Sequence, residues 1–375
     1  MIPFNKEEIL AKQATLAECA AYLKEEFVGI DNIIDEIVNY LSIWYLMPDL
    51  LTRPIIINLW GMTGVGKTGL VRKLVNFLKF QDRFTEIELS NTEQGNYNNS
   101  VSSILESNNM NDEKPAIVLF DEIQRFNTLN PDGSPLRQSK YTDFWELLSD
   151  GRLSRKEKED LDTYLFNYLT SKKRNERAKA RGEETDDNPQ IETWEAMALK
   201  SNLKLQHSFD ELTELKQSDV IKLINEAKQE KKIYEPIDHS KTLIIISGNL
   251  DEAFSMADQT SEADIDADIY RAFTKKITMV DIKNALTRKF RPEQVARFGN
   301  IHLIYNSLSK ANFKTLIEKE VIARVKAIHE KFGIQIQVTD KVKELIYRNG
   351  VFPVQGVRPV FSSIIDILES NWSNS

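Results

Sequence analysis

Residues 61–68 read Gly61-Met62-Thr63-Gly64-Val65-Gly66-Lys67-Thr68, a complete Walker A phosphate loop. The octapeptide follows the apolar run Ile55-Ile56-Ile57-Asn58-Leu59-Trp60 and precedes a helical pattern of Leu70, Val71, Leu74, Val75 and Leu78. A strand before and a helix after is the setting this loop requires. Its glycines let successive backbone N–H groups curl towards a β-phosphate, and the helix adds its positive end. Thr63, Gly64, Val65, Gly66, Lys67, Thr68 and Gly69 are therefore the candidate nucleotide-binding residues. Lys67 would reach the β and γ oxygens, and the Thr68 hydroxyl would ligate Mg²⁺. The expected ligand is a nucleoside triphosphate.

Five short apolar runs punctuate the chain up to residue 305: Ile55–Trp60, Thr85–Leu89, Ala116–Phe120, Leu243–Ser247 and Ile301–Tyr305. Runs of this kind suit strands buried on both faces, and their alternation with helices predicts a doubly wound parallel five-stranded sheet. An α/β fold of this type binds ligand at the carboxyl ends of its strands. The first domain is expected over residues 1–305, with 1–54 as a helical lead-in. Residues 152–240 break the spacing. This charged stretch carries two amphipathic helices, marked by Leu161, Tyr164, Leu165, Tyr168 and Leu169 and by Val220, Leu223, Ile224 and Ala227. Ser208 and Glu211 offer a capping box between them, and residues 181–189 read as a loop. The segment is expected as a helical insertion whose ends, Gly151 and Lys241, lie close together on the ligand side of the sheet. Residues 306–375 are expected as a small, mostly helical lid. It opens with the stripe Phe313, Leu316, Ile317, Val321, Val325 and Ile328, closed by Gly333. A short strand is expected at Ile334–Val338, then helices around Val342–Tyr347 and Val357–Leu368.

The net charge of −8 opposes rather than attracts a nucleic-acid backbone. A single cysteine, Cys19, supports neither a disulfide framework nor a cysteine metal site, and suits a reducing compartment. No signal-peptide pattern opens the chain, and no run approaches the roughly 20 apolar residues that span a bilayer. A soluble, cytoplasmic protein with no membrane contact is the expectation.

Ala116-Ile117-Val118-Leu119-Phe120-Asp121-Glu122 forms a second nucleotide signature, an apolar strand that ends in two carboxylates. Asp121 would hold the Mg²⁺ shell, and Glu122 would orient and deprotonate the attacking water.

The order of motifs from here resembles the AAA+ ATPases, and within them the Clp-type protein remodellers. Phe27-Val28-Gly29-Ile30-Asp31 resembles the family's box beside the adenine, with Ile30 in place of glutamine, which implicates Val28 and Gly29. Phe144–Leu153 is similar to the family's helix that ends in Asp-Gly-Arg-Leu. Ile244–Leu250 resembles its sensor-1 strand, with Asn249 near the γ-phosphate. Phe290-Arg291-Pro292-Glu293-Gln294-Val295-Ala296-Arg297 follows a pattern whose last arginine enters the neighbouring subunit's site, with Arg288 and Arg291 as close rivals. Gly356-Val357-Arg358-Pro359 resembles sensor 2, so Arg358 would reach the phosphates from the lid. The resemblance implies Glu122, Lys67, Asn249, Arg297 and Arg358 as catalytic residues, with ATP and Mg²⁺ as ligands. It also implies a homo-oligomeric ring, a hexamer or similar, and protein substrates or partners.

Two departures qualify that inheritance. The family's Gly-aromatic-Val-Gly pore loop is missing after the second strand. Either Tyr97, behind Gly95, serves as the pore aromatic, or Ser100–Leu105 aligns with the segment before the loop and the loop has been deleted. The large insertion is the other, and it could replace pore machinery, bind a partner or build a different assembly. The chain ends at Ser375, just after the sensor-2 helix, as a minimal lid or as a piece of a longer protein. Three functions are therefore expected in descending order: an ATP-hydrolysing protein remodeller, an ATP-gated scaffold or signalling module, and a nucleic-acid-directed motor.

Overall fold

The structure is a computed structural model that describes residues 6–90, 100–136, 141–154, 156–182, 196, 199, 211–212, 214–229, 235–250, 253 and 266–369. Two helices, α1 (Lys6–Glu26) and α2 (Asp31–Leu46), lead into strand β1 (Ile55–Trp60) and helix α3 (Lys67–Phe77). Strand β2 (Phe84–Glu88), helix α4 (Val101–Ser107), strand β3 (Ala116–Asp121) and helix α5 (Thr142–Asp150) follow. The insertion runs from β4 (Arg152–Leu153) through α6 (Lys156–Ala180) and α7 (Gln217–Gln229) to β5 (Ile237–Asp238). The chain then forms β6 (Thr242–Gly248), the helices α8 (Ala267–Thr274), α9 (Met279–Thr287) and α10 (Pro292–Val295), and β7 (His302–Ile304). Three last helices, α11 (Lys310–Phe332), α12 (Asp340–Gly350) and α13 (Arg358–Glu369), complete it.

The expected five strands form one sheet in the order β2-β3-β6-β1-β7, with every neighbouring pair parallel. Side chains alternate across the pleat, so each central strand feeds two cores. Ile117, Leu119, Leu243 and Ile245 pack with α1, α2 and α3 on one face. Val118, Phe120, Ile244 and Ile246 pack with α4, α5 and α9 on the other. Cys19 fills a fully buried position in the first of these cores, where burial pushes its thiol up to about 11. Leu308, Phe313, Leu316, Ile317, Val321, Ile346, Val360 and Ile364 make a third core, which also takes in Ala267 of α8. Among the described residues no helix is long and apolar enough to cross a membrane.

Two expectations need correction. Ile334–Val338 is not a strand. Ile336 and Val338 are half-buried while Gln335 and Gln337 are exposed, so the alternation survives. A strand also needs a neighbour to take its N–H and C=O groups, and among the described residues none pairs with this segment. The ends of the insertion do lie together, but at the other end of the sheet from the ligand side. His239 N donates to Gly151 O at 2.7 Å, and β4 pairs antiparallel with β5. Because β6 is parallel to its neighbours and begins at Thr242, Lys241 stands at the amino ends of the strands. Gly151 adopts φ +74°, and a β-carbon there would lie 2.7 Å from Pro54, just before β1. Ser208 and residues 183–189, expected as a cap and a loop, lie outside the described residues, as does Tyr97.

The insertion has an apolar cluster of its own, built from Leu161, Ala196, Leu199, Leu212, Val220 and Ile224. It joins the sheet through the short β4–β5 ladder. Replacing residues 156–235 by a short Gly/Ser linker, with the ladder kept, should leave the α/β core folded, since loop closure changes by only about 2 kcal/mol. Circular dichroism melting of the shortened protein checks this. A cooperative transition is expected, and an unfolded product would make the insertion part of the core.

Candidate active site

The site is assembled at the carboxyl ends of three adjacent strands. Pairing β1 with β6 sets Trp60 opposite Gly248, and pairing β3 with β6 sets Phe120 opposite Ile246. The phosphate loop, Asn249 and the Asp121–Glu122 pair therefore leave the sheet side by side. In the loop, Gly64 and Gly66 take φ of +77° and +93°, values that favour glycine. Gly66 then caps α3, whose first turn carries Lys67 and Thr68.

Lys67 is buried, and its ammonium donates to Gly61 O at 2.7 Å, to Met62 O at 2.8 Å and to Asn249 Oδ1 at 2.8 Å. The Asn249 amide nitrogen donates in turn to the Thr63 hydroxyl. One side chain just past the end of β6 thus touches two members of the phosphate loop. The Thr68 hydroxyl donates to Asp121 Oδ2 at 2.7 Å, and Glu122 N donates to Asp121 Oδ1 at 2.9 Å. A hydroxyl and a carboxylate meeting at the foot of a phosphate loop are the hard oxygen donors that Mg²⁺ takes alongside phosphate and water.

Glu122 sits in the left-handed region, at φ +54° and ψ +39°, which is uncommon for a residue with a β-carbon. Its Oε2 accepts from Gln124 Nε2 at 2.7 Å and lies 3.4 Å from Arg125 Nε. Gln124 Oε1 accepts from Asn249 N at 2.9 Å. Sequence reading missed Gln124, which carries no motif signature of its own.

The helical C-terminal region presses on the phosphate loop from outside. Val357 N donates to Gly64 O at 3.0 Å. A β-carbon on Gly356 would lie 2.6 Å from Thr63 O, so this approach requires glycine. Arg358 Cγ would lie 3.6 Å from a β-carbon on Gly64, which sets the arginine stem beside the loop. Gly29 packs against Asn312 and Leu308, and Val28 packs onto the third core, so the expected adenine box lies at the seam with the C-terminal helices. Two further contacts were not foreseen: the Phe27 ring lies over Gly66 and Gly69, and the Tyr270 hydroxyl donates to Met62 Sδ.

Arg297 lies apart from this group. Its guanidinium donates to Trp145 O at 2.9 Å and lines a cleft of about 700 Å³ with Arg53, Pro54, Ile55 and Asn300. That cleft is at the amino end of β1, whereas the phosphate loop follows its carboxyl end. The turn after Arg297 is strapped to β1. Asn58 Nδ2 donates to Phe298 O at 2.8 Å and to Ile301 O at 2.9 Å, and Trp60 Nε1 donates to His302 Nδ1 at 2.9 Å. An indole N–H can only donate, so Nδ1 is the acceptor and the His302 proton sits on Nε2, 2.9 Å from Gly299 O. Burial lowers the basicity of His302 and favours this neutral form.

Comparison with known proteins agrees with this geometry. Residues 57–150 match the ATPase family associated with various cellular activities (AAA). The chain is 26% identical over 134 residues to chaperone protein ClpB of Clostridium perfringens, covering 36% of this chain and 14% of that protein. It is 31% identical over 143 residues to the ATP-dependent Clp protease ATP-binding subunit ClpC of Staphylococcus epidermidis, covering 36% of this chain and 16% of that protein. The fold is similar to the S. cerevisiae Hsp104–ADP complex, with a TM-score of 0.51 and 18% identity over 96% of this chain and 48% of that one. Similarity to the extended S. cerevisiae Hsp104:casein complex gives a TM-score of 0.52 and 18% identity over 98% of this chain and 48% of that one. The matched region thus spans less than a fifth of the curated relatives and about half of the structural ones. The phosphate loop, the paired carboxylates and Asn249 converge on a sheet of this order, and the chain carries an AAA+ ATPase domain related to the ClpB, ClpC and Hsp104 chaperones.

Proposed function

We propose that the chain hydrolyses ATP as a subunit of a homo-oligomeric ring and uses the cycle to remodel protein partners. The observation that carries the reading is the meeting of Lys67, Asn249, Thr68 and Asp121 at one point, with Glu122 beside them. Loop N–H groups and Lys67 hold the triphosphate, and Asn249 holds the polar end of the loop that faces it. Glu122 draws a proton from water as the water oxygen bonds to the γ-phosphorus and the bond to the leaving ADP oxygen breaks. Thr68 and Asp121 would hold Mg²⁺, which when bound neutralises charge on the phosphates. Val28 and Gly29 would border the adenine, and Arg358 would bring a cation from the lid. We take the lid as residues 306–375, with 1–305 forming the nucleotide-binding domain.

Arg297 is remote from its own phosphate loop and fits a role in trans, completing the site of an adjacent copy. Charge that builds on the γ-phosphoryl oxygens needs such a cation, worth about 10³–10⁵ in rate where measured. The protein partner follows from kinship with ClpB, ClpC and Hsp104 together with the acidic balance of the chain. A second reading, an ATP-gated scaffold, draws on the insertion, where Phe166 and Leu169 of α6 are 68% and 55% exposed. Turnover stimulated by unfolded protein favours remodelling, and nucleotide-dependent assembly without it favours the scaffold.

Two experiments test the chemistry. Glu122→Gln should bind ATP at close to the parental affinity and lose turnover by about 10²-fold or more. Lys67→Ala should weaken binding itself, measured by calorimetry. Parental turnover in Glu122→Gln would remove Glu122 as the base. Arg297→Ala should bind ATP but hydrolyse it poorly, and mixing it with inactive Lys67→Ala subunits should restore part of the activity. Failure of confirmed mixed oligomers to recover would contradict the trans assignment.

A further inference from the structure

The contacts of Gln124 have a chemical logic that the family motifs do not account for. An ionised Glu122 can only accept hydrogen bonds, and the backbone N–H of Asn249 can only donate one. A group that joins the two must offer a donor on one side and an acceptor on the other. The carboxamide of Gln124 does this, with Nε2 at 2.7 Å from Glu122 Oε2 and Oε1 at 2.9 Å from Asn249 N. Glutamate in its place would have no donor for Glu122, and lysine no acceptor for Asn249. The neighbourhood is shaped around this amide: a β-carbon on Gly248 would lie 3.1 Å from Gln124 Oε1 and 2.6 Å from Ile123 Cγ2. With Oε2 occupied, Oε1 of Glu122 accepts no hydrogen bond among the described residues.

We propose that Gln124 is a positioning residue for hydrolysis, which ties one oxygen of Glu122 to the backbone of Asn249 and leaves the other to take the proton of the attacking water. The role rests on Glu122 acting as the base. Asn249 is the hinge of the arrangement, since its backbone fixes the base while its side chain reaches Lys67 and Thr63. Base and phosphate loop are thereby registered against one residue. A misplacement of the base by about 1 Å is enough to cost on the order of 100-fold in rate.

The test uses Gln124→Met, which keeps the length and loses both hydrogen bonds, and Gln124→Glu, which keeps the acceptor for Asn249 but sets a carboxylate against Glu122. Both should lower kcat by about 10- to 100-fold. KM for ATP, affinity for a non-hydrolysable ATP analogue and thermal unfolding should stay at parental values. Single-turnover rates add a readout that packing alone would not move. In a Glu122→Ala background, Gln124→Met should cause no further loss, because its effect passes through the missing carboxylate. Unchanged or raised kcat in both variants, or a loss that persists in full without Glu122, would overturn the positioning role. Parental turnover in Glu122→Ala would instead remove the base, and Gln124's role with it.

Discussion

Strand β6 lies between β3 and β1, and the site depends on that placement. Its residues Leu243–Ile246 are apolar on both faces, so burial between two layers of helices is the stable arrangement for them. Parallel pairing on both sides then brings three polar ends to one edge: the phosphate loop after Trp60, Asn249 after Gly248, and the carboxylates after Phe120. None of these groups would meet through local sequence, since Lys67, Asp121 and Asn249 are far apart in the chain. Hydrophobic burial sets the register, and the register sets the chemistry.

The second organising contact runs between the C-terminal helices and the phosphate loop. Val357 N on Gly64 O, Gly356 against Thr63 and the stem of Arg358 beside Gly64 leave little room between the two. Tyr270 and Phe27 add contacts at Met62 and at Gly66 and Gly69. The loop is therefore bordered by α8 and α13 as well as by the sheet. Along the side of β1 that pairs with β7, the Asn58 and Trp60–His302 strap holds the turn after Arg297. One buried strand thus connects the cis phosphate loop to the arginine proposed to act in trans.

The parts of this fold that were legible in the sequence are those governed by local rules. Apolar runs located the five strands, and the glycines of the Walker A loop together with the apolar strand ending in Asp121-Glu122 marked a loop and two carboxylates that the structure sets side by side. What sequence could not supply was pairing. Ile334–Val338 has strand alternation but, among the described residues, no neighbour to pair with, so it forms no strand. The ends of the insertion were expected together, and are, but the direction of β6 puts them at the opposite edge. Gln124 was invisible for a similar reason: its meaning lies in the Asn249 backbone N–H, a residue brought in from another strand. The strap of Asn58 and His302 likewise joins residues that no spacing rule connects.

The most direct test of the account is a structure with a non-hydrolysable ATP analogue bound. The ammonium of Lys67 now rests on Gly61 O, Met62 O and Asn249 Oδ1. With nucleotide in place it should leave the loop carbonyls for the β and γ oxygens, and Asn249 and Glu122 should both face the γ-phosphate. A triphosphate bound away from residues 61–69, or a Lys67 that keeps its present contacts while nucleotide is bound, would contradict it.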